Sequence, residues 1–175
     1  MPERNGTRRE VKRLVVAIVV AMNLVLVDAV VKELAAGFLG PSAPNGPRSV
    51  EVIPGIFNLA YVENRGCAWG MLQGQVWPLA VFGVVALALL AWKRKSFFGE
   101  SVLAAVSEPI LYAGIAGNVI DRLFRGYVID MFDFHWGPHH FPCFNVADSC
   151  ICIAVGLMIL ASFLASKPKP AAAGN

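Results

Sequence analysis

Four stretches of this chain run almost without polar residues: Leu14 to Ala36, Val76 to Trp92, Val102 to Asp121 and Ala147 to Leu164. Each is long enough to cross a hydrocarbon core, the second barely: its 17 residues rise about 1.5 Å apiece as a helix. The pattern predicts four transmembrane helices. The first run has a competing reading as a cleavable signal sequence, because Arg8-Arg9 precede it. Three later runs, and apolar residues continuing beyond Asp28, favour a span. Between the runs the pattern changes. Gly40-Pro41 to Pro47 reads as loop, followed by strand-like Val50–Ile53 and Ile56–Val62 around Pro54-Gly55. A small β-sheet is expected in the 37–75 connection, and a loop over 122–146.

Composition sharpens this picture: 57% of residues are hydrophobic and only 15% charged, against about a quarter in a soluble domain. Charge distribution then sets orientation. Ten of the fifteen basic residues flank the apolar runs on one side: Arg4, Arg8, Arg9, Lys12, Arg13, then Lys93, Arg94, Lys95, then Lys167, Lys169. By the positive-inside rule both termini are cytoplasmic and the 37–75 and 122–146 connections are outside. No single basic cluster serves a nucleic acid. The expected organisation is a basic cytoplasmic N-terminus over 1–13, one four-helix membrane domain over 14–165, and a disordered Pro/Ala-rich cytoplasmic tail over 166–175. Of the four cysteines, Cys150 and Cys152 read as small buried residues, while Cys67 and Cys143 lie in outer connections where a disulfide is chemically possible.

Ionisable groups at membrane depth are costly and invite functional readings. Asp28 and Lys32, four apart, share a helix face as an ion pair or brace something at the outer surface. Asp121 closes the third run and Asp148 opens the fourth, so both carboxylates come to the same interface. Asn145 with Asp148 also fits an N-cap with an acid at N3. That explanation does not cover Asp121, which meets the negative end of its helix dipole unless Arg122 offsets it. Two carboxylates that meet share one proton near neutrality. One then activates water while the other polarises a carbonyl, which is peptide hydrolysis by an aspartyl pair. Asp148, at a helix N-terminus, is expected as the ionised member and Asp121 as the protonated one. His135, His139 and His140 with Asp130 and Asp133 match no HExxH-type metal pattern. Glu108, early in the third run and followed by Pro109, has no place in this scheme.

Several motifs resemble lipoprotein signal peptidase (signal peptidase II), the bacterial membrane aspartyl peptidase family. They are Asp28-Ala29-Val30-Val31-Lys32, Asn64-Arg65-Gly66-Cys67-Ala68-Trp69, Gly114 to Arg122 containing Asn118 and Asp121, Val128-Ile129-Asp130, and Phe144-Asn145-Val146-Ala147-Asp148-Ser149. They follow the family's order over about residues 14–165. The resemblance implies a mainly α membrane protein with four transmembrane helices and a small outer-face sheet and loops. It implies Asp121 and Asp148 as the catalytic pair, with Asp28, Lys32, Asn64, Gly66, Asn118, Arg122, Asp130 and Asn145 lining or bracing the site. It implies removal of prolipoprotein signal peptides before a diacylglyceryl-modified cysteine, in the bacterial inner membrane, by a monomer in contact with membrane lipids, with no metal or cofactor. Ala29 stands where the family usually has glutamine, Arg65-Gly66-Cys67-Ala68-Trp69 where Thr-Gly-Ala-Ala-Phe is usual, and Ala113 where glycine is common. The competing functions are an ion or proton pathway, which needs acids spread across the membrane, and a catalytically inactive homologue.

Overall fold

The computed structural model describes residues 2–41, 48–99 and 101–166; side chains are described from residue 8 onward, except Arg9. The expected tail, and most of the Pro/Gly-rich stretch after Gly40, lie outside the described residues. The chain is mainly helical with one small antiparallel sheet. Helix α1 spans Pro2–Leu39, α2 Val76–Trp92, α3 Arg94–Phe98, α4 Val102–Phe124 and α5 Val146–Ala165; the strands are β1 Ser49–Ile53, β2 Phe57–Asn64, β3 Val128–Trp136 and β4 His139–His140. Among the described residues three helices are long and apolar enough to cross a membrane: Glu10–Leu39, Val102–Phe124 and Val146–Ala165. The fourth apolar run is the 17-residue α2.

Helix α1 is longer than the apolar run within it. The basic segment before Leu14 contains no proline after Pro2, so nothing interrupts the backbone hydrogen bonds there. Helix α4 is the centre of the molecule, packing on α1, α2 and α5. Its glycines permit the approach. A Cβ at Gly114 would lie 2.5 Å from the Ala147 carbonyl oxygen, one at Gly117 2.6 Å from Asp28 Oδ2. Large apolar side chains such as Val16, Met22, Phe82 and Phe163 project outward, unlike those of a water-soluble bundle.

The sheet has the order β1-β2-β3-β4. Strand β3 falls inside the connection expected to be a loop. Val128 to Met131 are buried on both faces, so the segment lacks the alternation of a half-exposed strand. Leu39, Tyr61, Ile129 and Met131 form a core that joins the end of α1 to the sheet. The β2–β3 register slips between Leu59 and Val62, at the point where Val62 pairs with Asp130. A second link fixes β3 to α5: the Phe144 carbonyl accepts from the backbone N–H groups of Met131 and Phe132 at 3.0 and 2.9 Å.

Glu108 has a structural partner set. Its buried carboxylate takes a two-point contact from Arg94 on α3, with Nη2 at 2.9 Å, and Arg13 of α1 lies 3.8 Å away. With Phe98 buried beside it, this ion cluster folds the short helix back between α2 and α4. Cys150 is buried as expected, but Cys152 is exposed, because α5 turns that face outward.

Candidate active site

Six of the eight buried polar or charged side chains among the described residues gather at one place, Ser107 and Glu108 lying apart from them. Asp28, Lys32, Asn118, Asp121, Asp130 and Asn145 are all buried, and Lys32 and Asn145 are fully so. Each polar atom therefore needs a partner, and the partners form two linked layers.

The inner layer is ionic. Lys32 Nζ lies 2.7 Å from Asp28 Oδ2 and 3.0 Å from Asp121 Oδ2. Arg125 Nε donates to Asp121 Oδ1 at 3.0 Å and also pairs with Glu33. Asp28 Oδ1 accepts from the Ala147 backbone N–H at 2.8 Å, so α1 caps the start of α5. Two cations against Asp28 and Asp121 leave no unbalanced buried charge.

The outer layer is built of amides and carboxylates. Asn118 Oδ1 accepts from Lys32 at 3.3 Å and from Asn145 Nδ2 at 3.2 Å, which leaves Asn118 Nδ2 to donate to Asp148 Oδ1 at 2.7 Å. Asn145 Nδ2 also donates to Asp130 Oδ1 at 2.7 Å, and Asn64 Nδ2 donates to Asp130 Oδ2 at 3.0 Å. The N-cap arrangement at the start of α5 is present in full. Asn145 Oδ1 accepts from the Asp148 N–H at 2.9 Å, and Asp148 Oδ2 accepts from the Asn145 N–H at 3.2 Å. Asn145 thus caps the helix and joins two carboxyl groups at once.

A cavity of about 820 Å³ opens between α2, α4, α5 and the segments before α2 and α5. Asp130 and Asp148 both line it, with Asn64, Asn118 and Arg122; its wall includes Leu79, Phe82, Leu111, Ile115 and Ile151. Burial, then the neighbouring charge of Asp148, pushes the Asp130 carboxyl up to about 7. Asp121 does not line the cavity. The expected pair of Asp121 and Asp148 thus does not face this cavity together. Lys32, Arg125 and a 3.4 Å contact from the Ile129 N–H occupy its oxygens. Arg122, expected to offset the dipole at Asp121, instead donates to the carbonyl oxygens of Gly66 at 2.9 Å and Asn118 at 3.3 Å. Gly66 is held from the other side by Asn64 Oδ1, which accepts its N–H at 2.9 Å. A Cβ there would lie 2.4 Å from the Met71 carbonyl oxygen.

The family model for signal peptidase II matches residues 20–164. The chain belongs to the signal peptidase II family. Curated relatives named lipoprotein signal peptidase agree. One from Syntrophotalea carbinolica is 38% identical over 66% of this chain and 73% of its own length. One from Symbiobacterium thermophilum is 36% identical over 82% and 91%, and one from Vibrio cholerae 33% identical over 86% and 88%. A solved bacterial membrane enzyme, determined by the in meso method at 2.3 Å resolution, superimposes with a TM-score of 0.74 at 31% identity, covering 90% of this chain and 94% of that one. This is a bacterial membrane peptidase fold.

Arg125 and Glu33 also belong to the site: Arg125 lies at i,i+4 from Asp121, a spacing the sequence shows, whereas Glu33, which follows Lys32 directly, joins only through its contact with Arg125. Cys67 and Cys143 both line the cavity as free thiols, and burial first, then Asp130 and Asp133, pushes the Cys143 thiol up to about 12. Arg65 is engaged by Glu63 at 3.1 Å and lies 5.5 Å over the Tyr127 ring.

Proposed function

We propose that this chain is the membrane aspartyl endopeptidase that removes signal peptides from prolipoproteins, and that Asp130 and Asp148 are its catalytic pair. The observation that carries the assignment is that these two carboxyl groups face one cavity and are joined through Asn145, with one of them raised to about 7. One proton is then held between two acids near neutral pH. Asp130 supplies that proton to the scissile carbonyl oxygen. Asp148, at a helix N-terminus where negative charge is favoured, takes a proton from the attacking water. The tetrahedral intermediate collapses as Asp148 gives its proton to the leaving amine and Asp130 takes a proton back from a hydroxyl of the intermediate, which breaks the C–N bond and restores the starting protonation of the pair. Asn118 and Asn145 hold both carboxyls in register, while Asn64 and Arg122 with Gly66 shape the rim. Asp28, Lys32 and Asp121 brace this layer from beneath.

The apolar cavity wall fits an apolar signal segment and the acyl chains of a diacylglyceryl-cysteine. Four spans remain our reading, with α2 as the fourth; its uninterrupted apolar sequence supports this. So do cytoplasmic termini, inner-membrane residence, a site at the outer face and a single working copy among lipids, on the basic flanks and the self-contained site. The buried acids of the network gather at one end, with Glu108 neutralised at a distance, which favours hydrolysis over an ion pathway.

The test is cleavage of a diacylglyceryl-modified prolipoprotein by purified variants. Asp130→Asn and Asp148→Asn are expected to lower kcat by about a thousandfold or more, and folded Asp121→Asn to keep measurable turnover. Turnover by Asp130→Asn, with none in folded Asp121→Asn, would return the role to Asp121.

A further inference from the structure

The proposed pair does not stand at the end of a single cavity. A second one, of about 570 Å³, adjoins the first and shares Asn64, Trp69, Asp130, Phe141 and Cys143 with it. Asp130 therefore sits where the two meet. Their chemistry differs. Residues belonging to the first alone include the apolar helix side chains Leu79, Phe82 and Ile115, besides Asn118, Arg122 and Asp148 of the site. Those belonging to the second alone include Glu63, Gln73, Asp133 and His140, on β2, β3, β4 and the segment before α2.

The charge of the second cavity is one-sided. Among its lining residues are the carboxyl groups of Glu63, Asp130 and Asp133, but no lysine or arginine. His140 is the one imidazole among its lining residues, with Nδ1 2.7 Å from Asp133 Oδ1 and its ring stacked on His135. Asp133 also accepts from Asn58 Nδ2 at 3.0 Å. Burial works against its charge, but these hydrogen bonds hold the carboxyl below the usual range. Glu63 is countered from outside the lining by Arg65 at 3.1 Å.

A peptide cut at a junction must leave it on both sides. The signal segment and acyl chains require the apolar side, so the polypeptide continuing toward water requires the polar one. Resting on the peptidase reading above, we infer that the second cavity holds the residues immediately after the lipidated cysteine and discriminates by charge, with Glu63 and Asp133 disfavouring acidic side chains there. Like charges facing each other at an interface act as repulsive specificity elements.

The experiment uses the full chain in detergent micelles with three lipidated substrates, carrying Lys, Ser or Asp at both positions following the cysteine. The expected result is a kcat/KM ratio of Lys to Asp substrate of roughly fivefold at low ionic strength, shrinking with added salt. Glu63→Gln combined with Asp133→Asn should bring that ratio close to one, and Asp133→Lys should invert it. A flat ratio in the unsubstituted enzyme, or the same ratio in enzyme and variants, overturns the inference. If a variant fails to accumulate, the ratio and its salt dependence in the unsubstituted enzyme decide alone. The Ser substrate keeps the two readings apart: its cleavage with a flat ratio sinks only the charge discrimination, whereas no cleavage of any substrate sinks the peptidase reading with it.

Discussion

Asp130 shows how a single carboxyl can carry both chemistry and a stability cost. Its proton is held up to about 7 against an ordinary 3.8, so the folded chain binds that proton more tightly than the unfolded chain does. With respect to this group, stability is greatest below pH 4 and declines as pH rises towards 7. Thermal unfolding across that window should fall less steeply in Asp130→Asn than in the parent. On the proposed pairing the same proton is needed for turnover, so kcat/KM should drop as pH rises through about 7; a kcat/KM flat from pH 6 to 9 would contradict Asp130 as the acid. Asp121 differs because Lys32 and Arg125 neutralise it. Removing one partner of such a buried network costs on the order of 3 kcal/mol, so Asp121→Asn should lower the thermal midpoint more than it lowers kcat per folded molecule. Gly117→Ala would drive a methyl to 2.6 Å from Asp28 Oδ2 and shift the carboxylate off Ala147 and Lys32. A loss of roughly 1–3 kcal/mol is expected from that overpacking, read by thermal unfolding in detergent.

At the scale of elements, the pair is assembled by two short-range devices. A slip in the β2–β3 register lies at Asp130, and a capping box places Asp148 in the first turn of α5. The Phe144 carbonyl, accepting from two consecutive residues of β3, holds these devices together. The α2–α3–α4 corner has a comparable lock in Glu108 with Arg94 and Arg13. Arg94 is partly exposed and can turn to water, so Glu108→Gln should cost only about 1–3 kcal/mol. Lower yield with normal kcat per folded molecule is the expected outcome; a specific loss of turnover would place Glu108 in the reaction. Helix boundaries were largely legible: α2 coincides with its apolar run, and α5 differs from its run by one residue at each end. Strand β3 was not, because burial on both faces erases the two-residue period that marks a half-exposed strand.

For the whole molecule, the proposed topology puts the turn at Gly55, between β1 and β2, and the Arg94–Phe98 helix on opposite sides of the membrane, with α2 the one apolar run between them. Reporter fusions should give an extracytoplasmic signal at the first and a cytoplasmic one at the second; the same signal at both would remove the fourth span. The sequence by itself determined a membrane protein, its apolar runs, the helix cap at Asn145 and, through ordered motifs, the family. These follow from composition, periodicity and local hydrogen bonding, which act over a few residues and leave their mark in order along the chain. The proposal of which acid joins Asp148 rests only on tertiary structure. Asp121 and Asp130 lie nine positions apart, and each looks like a carboxyl near the end of a span. Only when α1 brings Lys32 beneath α4, and β3 is pinned beside α5, does one acid become neutralised bracing while the other faces the cavity. The partners that separate their chemistry are distant in the chain, and their field is set by distances that exist only after folding.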